Sequence, residues 1–241
     1  MEKKIKLFCI PYAGGSSSIY NKWKDKLGKN IELCPIELAG RGGRIKENHY
    51  SCLSEAVNDI LNQIIEDINA YDYAIFGHSM GAFLAYEVIH KIMKLGLRKP
   101  IHSFFSGRKP PGIGMRKKLF TEMNPIEFEK EVLALGGTPP EFFKYPELKE
   151  LFIPLLRSDF AISETIVERS EGIVLNNNFS ILIGKDENIN LETAVKWRKF
   201  TDKECDIHFI KGDHFFLLHE QETVIGLVNK ALEGSCIEVC L

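Results

Sequence analysis

The chain has 241 residues, of which 44% are hydrophobic and 27% charged, and its formal net charge is −2. This length and composition fit one large globular domain that buries most of its apolar surface. The near-neutral charge gives no electrostatic reason to expect nucleic acid or an anionic membrane as a partner. No window is long and apolar enough for a membrane-spanning helix, and the amino terminus lacks the apolar core of a signal peptide.

The cysteines favour a reducing environment. They are scattered along the chain, with no C-x-x-C pair and no Cys/His cluster at zinc spacing, at Cys9, Cys34, Cys52, Cys205, Cys236 and Cys240. We therefore expect reduced thiols, no metal site and a cytoplasmic location.

Strand and helix patterns alternate along most of the chain. Short apolar runs predict strands at residues 5–10, 31–36, 73–76, 101–105, 179–183 and 207–210. Apolar residues at helical spacing predict helices at 54–68, capped by Ser51 or Ser54, and at 82–95, 191–200 and 219–232. This alternation predicts an α/β fold, in which a mostly parallel central sheet is flanked by helices on both faces.

The alternation breaks between about residues 112 and 168. This segment has a helical pattern interrupted by prolines at 125, 139, 140, 146 and 154. We interpret it as a helical lid inserted into a single domain that spans residues 1–241. Residues 235–241 carry no pattern that we can interpret.

A G-x-S-x-G sequence joins the 73–76 strand to the following helix. It reads Gly77-His78-Ser79-Met80-Gly81, and this strand–turn–helix context is typical of a nucleophile elbow. Glycines at both outer positions remove Cβ atoms that would collide with the neighbouring strand and helix. Ser79 is therefore predicted to be a nucleophile in a strained backbone conformation at the carboxyl edge of the sheet. We interpret His78 as a packing or surface residue.

A serine nucleophile needs a base and an acid, which in this architecture follow it in the order Ser, Asp or Glu, His. Asp186 lies just past the 179–183 strand, and His214 lies just past the 207–210 strand. We predict Asp186 as the acid, because it comes soonest after its strand and is short and stiff, and His214 as the base. Glu187 remains an alternative acid, and Asp213 adjoins the histidine. The other histidines fall within strand or helix patterns or lack an acid in a matching loop.

Attack on a carbonyl also requires donors for the oxyanion. The backbone N–H of Met80 directly follows the nucleophile, and the glycine-rich loop after the first strand can supply a second N–H, from Ala13 or else from Tyr12. No metal ligands compete with this interpretation, and Gly40-Arg41-Gly42-Gly43 lacks dinucleotide-binding spacing. The residues support acyl transfer to water without a cofactor.

The sequence resembles the type II thioesterases of nonribosomal peptide and polyketide synthases, which have the α/β-hydrolase fold, over nearly its whole length. The resemblance rests on six segments: Pro11-Tyr12-Ala13-Gly14-Gly15-Ser16, Leu38-Ala39-Gly40-Arg41-Gly42-Gly43-Arg44, Gly77-His78-Ser79-Met80-Gly81-Ala82, Leu135-Gly136-Gly137-Thr138-Pro139-Pro140, Leu155-Leu156-Arg157-Ser158-Asp159-Phe160 and Gly212-Asp213-His214-Phe215-Phe216-Leu217. Ala39 stands where many relatives have proline. The Gly-Lys-Asp-Glu acid loop differs from the paired aspartates of many relatives.

The resemblance implies a substrate and a partner. It implies hydrolysis of acyl or aminoacyl groups from the phosphopantetheine arm of carrier domains, which edits or regenerates stalled synthases, with Ser79, Asp186 and His214 as the triad. We expect a monomer that contacts carrier domains transiently. Alternatives are a chain-releasing medium-chain fatty acyl thioesterase, an esterase for small substrates, and a non-catalytic binding protein on the same scaffold.

Overall fold

The computed structural model describes residues 4–113, 119–138, 140–165 and 174–233. Residues 114–118, 139 and 166–168 of the predicted lid, together with the 235–241 tail, lie outside the described residues. The boundaries of the lid therefore stay a prediction.

The described strands form one six-stranded sheet in which every pair is parallel, in the order β2-β1-β3-β4-β5-β6. The strands are β1 (Ile5–Ile10), β2 (Ile31–Pro35), β3 (Asp72–His78), β4 (His102–Ser106), β5 (Asn178–Gly184) and β6 (Cys205–Ile210). All six predicted strands are present, with ends within two residues of the expected ones. Because all strands run the same way, their carboxyl ends share one edge of the sheet.

Helices follow most strands. They are α1 (Leu53–Ala70), α2 (Met80–Lys94), α3 (Pro125–Leu135), α4 (Pro146–Ser163), α5 (Leu191–Val195), α6 (Phe216–His219) and α7 (Gln221–Glu233), with 3-10 turns at Ser17–Trp23, Gly42–Arg44, Phe120–Glu122, Pro140–Phe143 and Lys196–Phe200. The predicted 191–200 helix is thus α5 followed by a 3-10 turn. The capping prediction for α1 is wrong: Cys52 occupies the cap position, and the Ser51 N–H donates to the Glu55 carboxylate.

The two faces of the sheet carry separate apolar cores, because alternate strand residues point to opposite faces. Phe8 and Ile10 of β1 join the core built with α1 and α2. Leu7 and Cys9 join the opposite core, which includes Tyr20 and apolar residues of α7. The predicted α/β-hydrolase architecture, a mostly parallel sheet covered by helices on both faces, is confirmed.

Helices α3 and α4 lie between β4 and β5 in the chain, within the segment interpreted as the lid. They enclose a small apolar core of their own, made by Phe120, Met123, Phe128, Val132 and Leu156. No helix in the described part of the chain is long and apolar enough to cross a membrane.

Candidate active site

The turn between β3 and α2 holds Ser79 in a strained conformation. Its φ of 55° and ψ of −113° make it the only non-glycine residue with a positive φ among the described residues. A Cβ at Gly77 would lie 2.1 Å from the Gly81 carbonyl oxygen, so only glycine fits at the start of this turn. The Ser79 N–H donates to the Ser106 carbonyl oxygen at the end of β4 (2.8 Å), which fixes the turn to the sheet edge.

His214 lies within hydrogen-bonding distance of the serine. It follows β6, and its Nε2 atom is 2.9 Å from the Ser79 Oγ atom. The loop that carries His214 is bonded to the loop after β5, because the Lys185 and Asp186 N–H groups donate to the Ile210 and Gly212 carbonyl oxygens (2.7 and 3.0 Å). Ser79 and His214, 135 positions apart in the chain, therefore meet at the predicted edge.

The carboxylate that contacts His214 is that of Glu187. Its Oε1 atom lies 2.5 Å from His214 Nδ1, and its Oε2 atom accepts the Gly184 N–H at 2.7 Å. The Glu187 side chain is 7% exposed, whereas Asp186 is exposed to solvent. The structure therefore contradicts the expected contact of Asp186 with His214 and places the alternative acid, Glu187, there instead.

The correction has a geometric cause. The Glu187 N–H donates to the Gly184 carbonyl oxygen (3.1 Å), which closes a four-residue turn at the end of β5. Asp186, third in this turn, lies at its solvent side, while the chain has turned back toward the sheet edge by Glu187. The longer glutamate then reaches the imidazole. Asp213 instead accepts the Phe215 N–H (2.8 Å) and caps its own turn.

His78 has a role that the sequence did not indicate. The ring is fully buried, with Nε2 2.9 Å from the His214 carbonyl oxygen and Nδ1 2.8 Å from Ser106 Oγ. Burial, reinforced by the nearby His214 imidazole, holds the pKa of His78 well below its ordinary value. The ring is therefore neutral; because a carbonyl only accepts, Nε2 carries the proton and Nδ1 accepts from the Ser106 hydroxyl. His78 thereby anchors the main chain of His214.

The predicted oxyanion donors lie on adjoining segments. A Cβ at Gly81, the residue after Met80, would lie 2.2 Å from the Ile10 carbonyl oxygen and 2.7 Å from that of Pro11, so the loop after β1 passes directly over the start of α2. Neither the Met80 nor the Ala13 N–H donates to another of the described residues. Their role as oxyanion donors stays a prediction.

Tyr12, the alternative donor, closes the loop that carries Ala13. Its carbonyl oxygen accepts the Gly15 N–H at 2.9 Å, and its ring packs edge-on against Phe215 (5.1 Å between centroids). The described residues hold no group of three or more His, Cys, Asp or Glu side chains that could bind a metal ion. The available chemistry is that of a serine hydroxyl, an imidazole and a carboxylate in hydrogen-bonded series.

Comparisons with known proteins agree with this chemistry. A family model for the thioesterase domain matches residues 5–232. The linear gramicidin dehydrogenase LgrE of Brevibacillus parabrevis is 33% identical over 236 residues, which cover 97% of this chain and 89% of that protein. The gramicidin S biosynthesis protein GrsT of Aneurinibacillus migulanus is 32% identical over 230 residues, covering 95% and 89%.

A solved structure is similar over its whole length. The crystal structure of ClbQ from the colibactin NRPS/PKS pathway is 34% identical in sequence, with a TM-score of 0.91, and the match covers 98% of this chain and 99% of that one. The resemblance to type II thioesterases of nonribosomal peptide and polyketide synthases is thereby confirmed, and the chain belongs to the thioesterase domain family.

Proposed function

We propose that this thioesterase hydrolyses acyl or aminoacyl thioesters on the phosphopantetheine arm of carrier domains, and so edits or regenerates a stalled synthase. The observation that carries the proposal is the hydrogen-bonded series from Ser79 through His214 to Glu187, with separations of 2.9 and 2.5 Å. The carrier-bound substrate is inferred from the relatives, since GrsT is named for gramicidin S biosynthesis and ClbQ comes from an NRPS/PKS pathway.

The first half of the reaction forms an acyl-enzyme. Ser79 Oγ attacks the thioester carbonyl carbon while its proton passes to His214 Nε2, and Glu187 stabilises the imidazolium through Nδ1. The Met80 and Ala13 N–H groups donate to the oxyanion of the tetrahedral intermediate. The intermediate collapses with cleavage of the carbon–sulfur bond, and the pantetheine sulfur leaves with the proton from His214.

Water completes the cycle. It attacks the acyl-enzyme carbonyl and transfers a proton to His214, and the second tetrahedral intermediate expels Ser79 Oγ, which recovers that proton. The products are the free carboxylic acid and the carrier thiol. No cofactor enters either step, and we infer that the enzyme acts as a monomer in transient contact with the carrier.

The name of LgrE describes a dehydrogenase, and we do not extend that reaction to this chain. The glycine-rich segment after β2 does not have the spacing of a dinucleotide site. Side chains occupy the space beside its glycines: a Cβ at Gly40 would lie 2.2 Å from the His49 ring, and one at Gly42 would lie 2.1 Å from the Glu37 carboxylate. The negative charge of the Glu37 carboxylate beside Gly42 would repel the phosphates of a dinucleotide.

The test compares three substrates that carry the same acyl group: an acyl-carrier domain, the matching acyl-CoA and the matching nitrophenyl ester. We expect the highest kcat/KM on the carrier domain, and a loss of at least about 10³-fold on all three for Ser79→Ala. Ser54→Ala, at an exposed serine of α1, is the matched control and retains full turnover.

Three outcomes contradict the proposal. Equal efficiency on the three substrates would argue against carrier recognition and favour a small-substrate esterase. Unchanged turnover of Ser79→Ala would remove the serine mechanism, and a parent enzyme that turns over none of the three substrates would favour a non-catalytic scaffold. A peptidyl carrier domain and a fatty acyl carrier protein, assayed side by side, separate editing of a synthase from release of fatty acyl chains.

A further inference from the structure

A buried ion pair joins helix α4 to the loop after β2. Arg41 and Asp159 are 3% and 0% exposed, and they form two parallel hydrogen bonds of 2.7 Å, from Nη1 to Oδ2 and from Nη2 to Oδ1. Arg41 lies just before the 3-10 turn Gly42–Arg44, and Asp159 lies in the last two turns of α4. Paired guanidinium and carboxylate groups of this geometry are among the strongest polar contacts in proteins.

The same pair holds the turn that carries Ala13. Asp159 Oδ2 also accepts the Gly14 N–H at 2.7 Å, and Arg41 Nη1 donates to the Gly15 carbonyl oxygen at 3.1 Å. With the Gly15 N–H bonded to Tyr12, the N–H groups of both glycines are engaged. The N–H of Ala13, the residue directly before the two glycines, donates to none of the described residues.

We propose that Asp159 is a positioning residue that, together with Arg41, orients the Ala13 N–H toward the oxyanion. This inference rests on the proposed serine mechanism. The Gly14 nitrogen belongs to the Ala13–Gly14 peptide, so the bond to Asp159 fixes one of the two peptide planes that flank Ala13. Gly14, at a φ of +77°, lets the chain turn back at this point, and the bond from Arg41 to Gly15 fixes the far side of the turn.

The positive charge of Arg41 makes a carboxylate tolerable beside an oxyanion hole. An uncompensated Asp159 would repel the negative charge that develops on the substrate, whereas the bidentate pair has no net charge. The carboxyl-terminal half of α4 is also fixed to the main domain by Ser158, which donates to the Tyr50 carbonyl oxygen (2.8 Å), and by Arg108, which bonds Ser163 (2.7 Å). These two bonds hold this half of α4 against the main domain independently of Asp159.

The test uses hydrolysis of a nitrophenyl ester, so that it depends on Ser79 and not on carrier recognition. It measures three quantities: kcat, KM, and the Ki of an alkyl trifluoromethyl ketone, whose adduct with Ser79 carries an oxyanion. The first variant is Asp159→Asn, which keeps the volume but removes the negative charge and replaces one of the two acceptor oxygens by an NH2 group, so that one of the three donors from Arg41 and Gly14 loses its acceptor. The second is the double variant Arg41→Met/Asp159→Leu, which replaces the pair by apolar groups. Ser158→Ala, which removes a neighbouring bond of α4 without touching the turn, is the matched control.

We expect kcat to fall about 10- to 100-fold in both variants with KM changed less than threefold, because displaced donors stabilise the transition state less. The Ki of the ketone should rise by the same factor as kcat falls, and Ser158→Ala should stay within twofold of the parent enzyme.

If the double variant does not fold, as judged by a lost thermal transition, Asp159→Asn alone decides. An unchanged kcat in a folded variant, or a raised KM with unchanged ketone affinity, would overturn the assignment. If the parent enzyme shows no preference for the carrier domain in the three-substrate comparison, that result counts against the proposed substrate and not against Asp159.

Discussion

The nucleophile elbow and the lid both contain glycines in tight contact, but different groups contact them. A Cβ at Gly77 would meet the Gly81 carbonyl oxygen at 2.1 Å, and a Cβ at Gly137, after α3, would meet the Phe215 ring at 2.2 Å. Main chain in the elbow cannot move without breaking strand and helix hydrogen bonds, whereas an aromatic ring can turn about its side-chain torsions. The nucleophile turn is therefore fixed by backbone, whereas the segment interpreted as the lid rests at Gly137 on a side chain that can adjust.

The largest effect is expected where backbone meets backbone. Gly77→Ala should lower the free energy of unfolding by at least about 3 kcal/mol and abolish measurable turnover, because the new methyl group forces β3 and α2 apart. Urea unfolding followed by circular dichroism measures the first, and ester hydrolysis the second. Gly226→Ala in α7, where a Cβ meets no atom within 4 Å, should instead raise the unfolding free energy by about 0.5–1 kcal/mol. A Gly77→Ala enzyme with full activity would mean that the elbow is not rigid.

The elbow could be predicted from sequence because its constraints act within five residues. Gly77, Ser79 and Gly81 report the tight turn directly, and the alternation of strands and helices places His214 at the same edge. The choice of acid depended on the turn after β5, where a single residue decides which carboxylate faces inward. The local sequence does not indicate that Glu187 rather than Asp186 faces inward. The structure does so by placing Asp186 at the tip of a four-residue turn.

Polar contacts between distant segments outside the Ser79–His214 pair escaped prediction. Arg41 and Asp159 are 118 positions apart and lie in a glycine-rich loop and in a helix whose patterns suggest no pairing. Likewise, His78 looked like a packing residue, because its partner is the main chain of a loop 136 positions away. Periodicity reports which face of an element is buried, but it does not report which polar groups meet across elements.

The next largest effect is expected at Glu187, whose carboxylate contacts His214. Glu187→Gln should lower kcat roughly 10³-fold with little change in KM or stability, because an amide cannot stabilise the imidazolium and favours the wrong tautomer of His214. Asp186→Asn, a matched change at the adjacent exposed residue, should leave kcat within twofold. Both are measured by ester hydrolysis at saturating substrate. The opposite ranking would restore Asp186 as the acid and would require the turn after β5 to rearrange when substrate binds.

The smallest effect is expected in the lid. Gly137→Ala places a methyl group against the Phe215 ring at a φ of +76°, so the strained backbone should cost about 1–2 kcal/mol of stability. The ring lies against both Tyr12 and His214, with centroids 5.1 and 5.2 Å away, and turning it should disturb the site only slightly. We therefore expect kcat to fall no more than about fivefold, with KM following the fit of the lid over the substrate.

Phe215→Leu combined with Gly137→Ala gives the decisive measurement: a smaller side chain leaves room for the methyl group, so the pair should regain activity relative to Gly137→Ala alone. A loss in the double variant as large as the sum of the two single losses would mean that the lid and the site are not coupled through this contact.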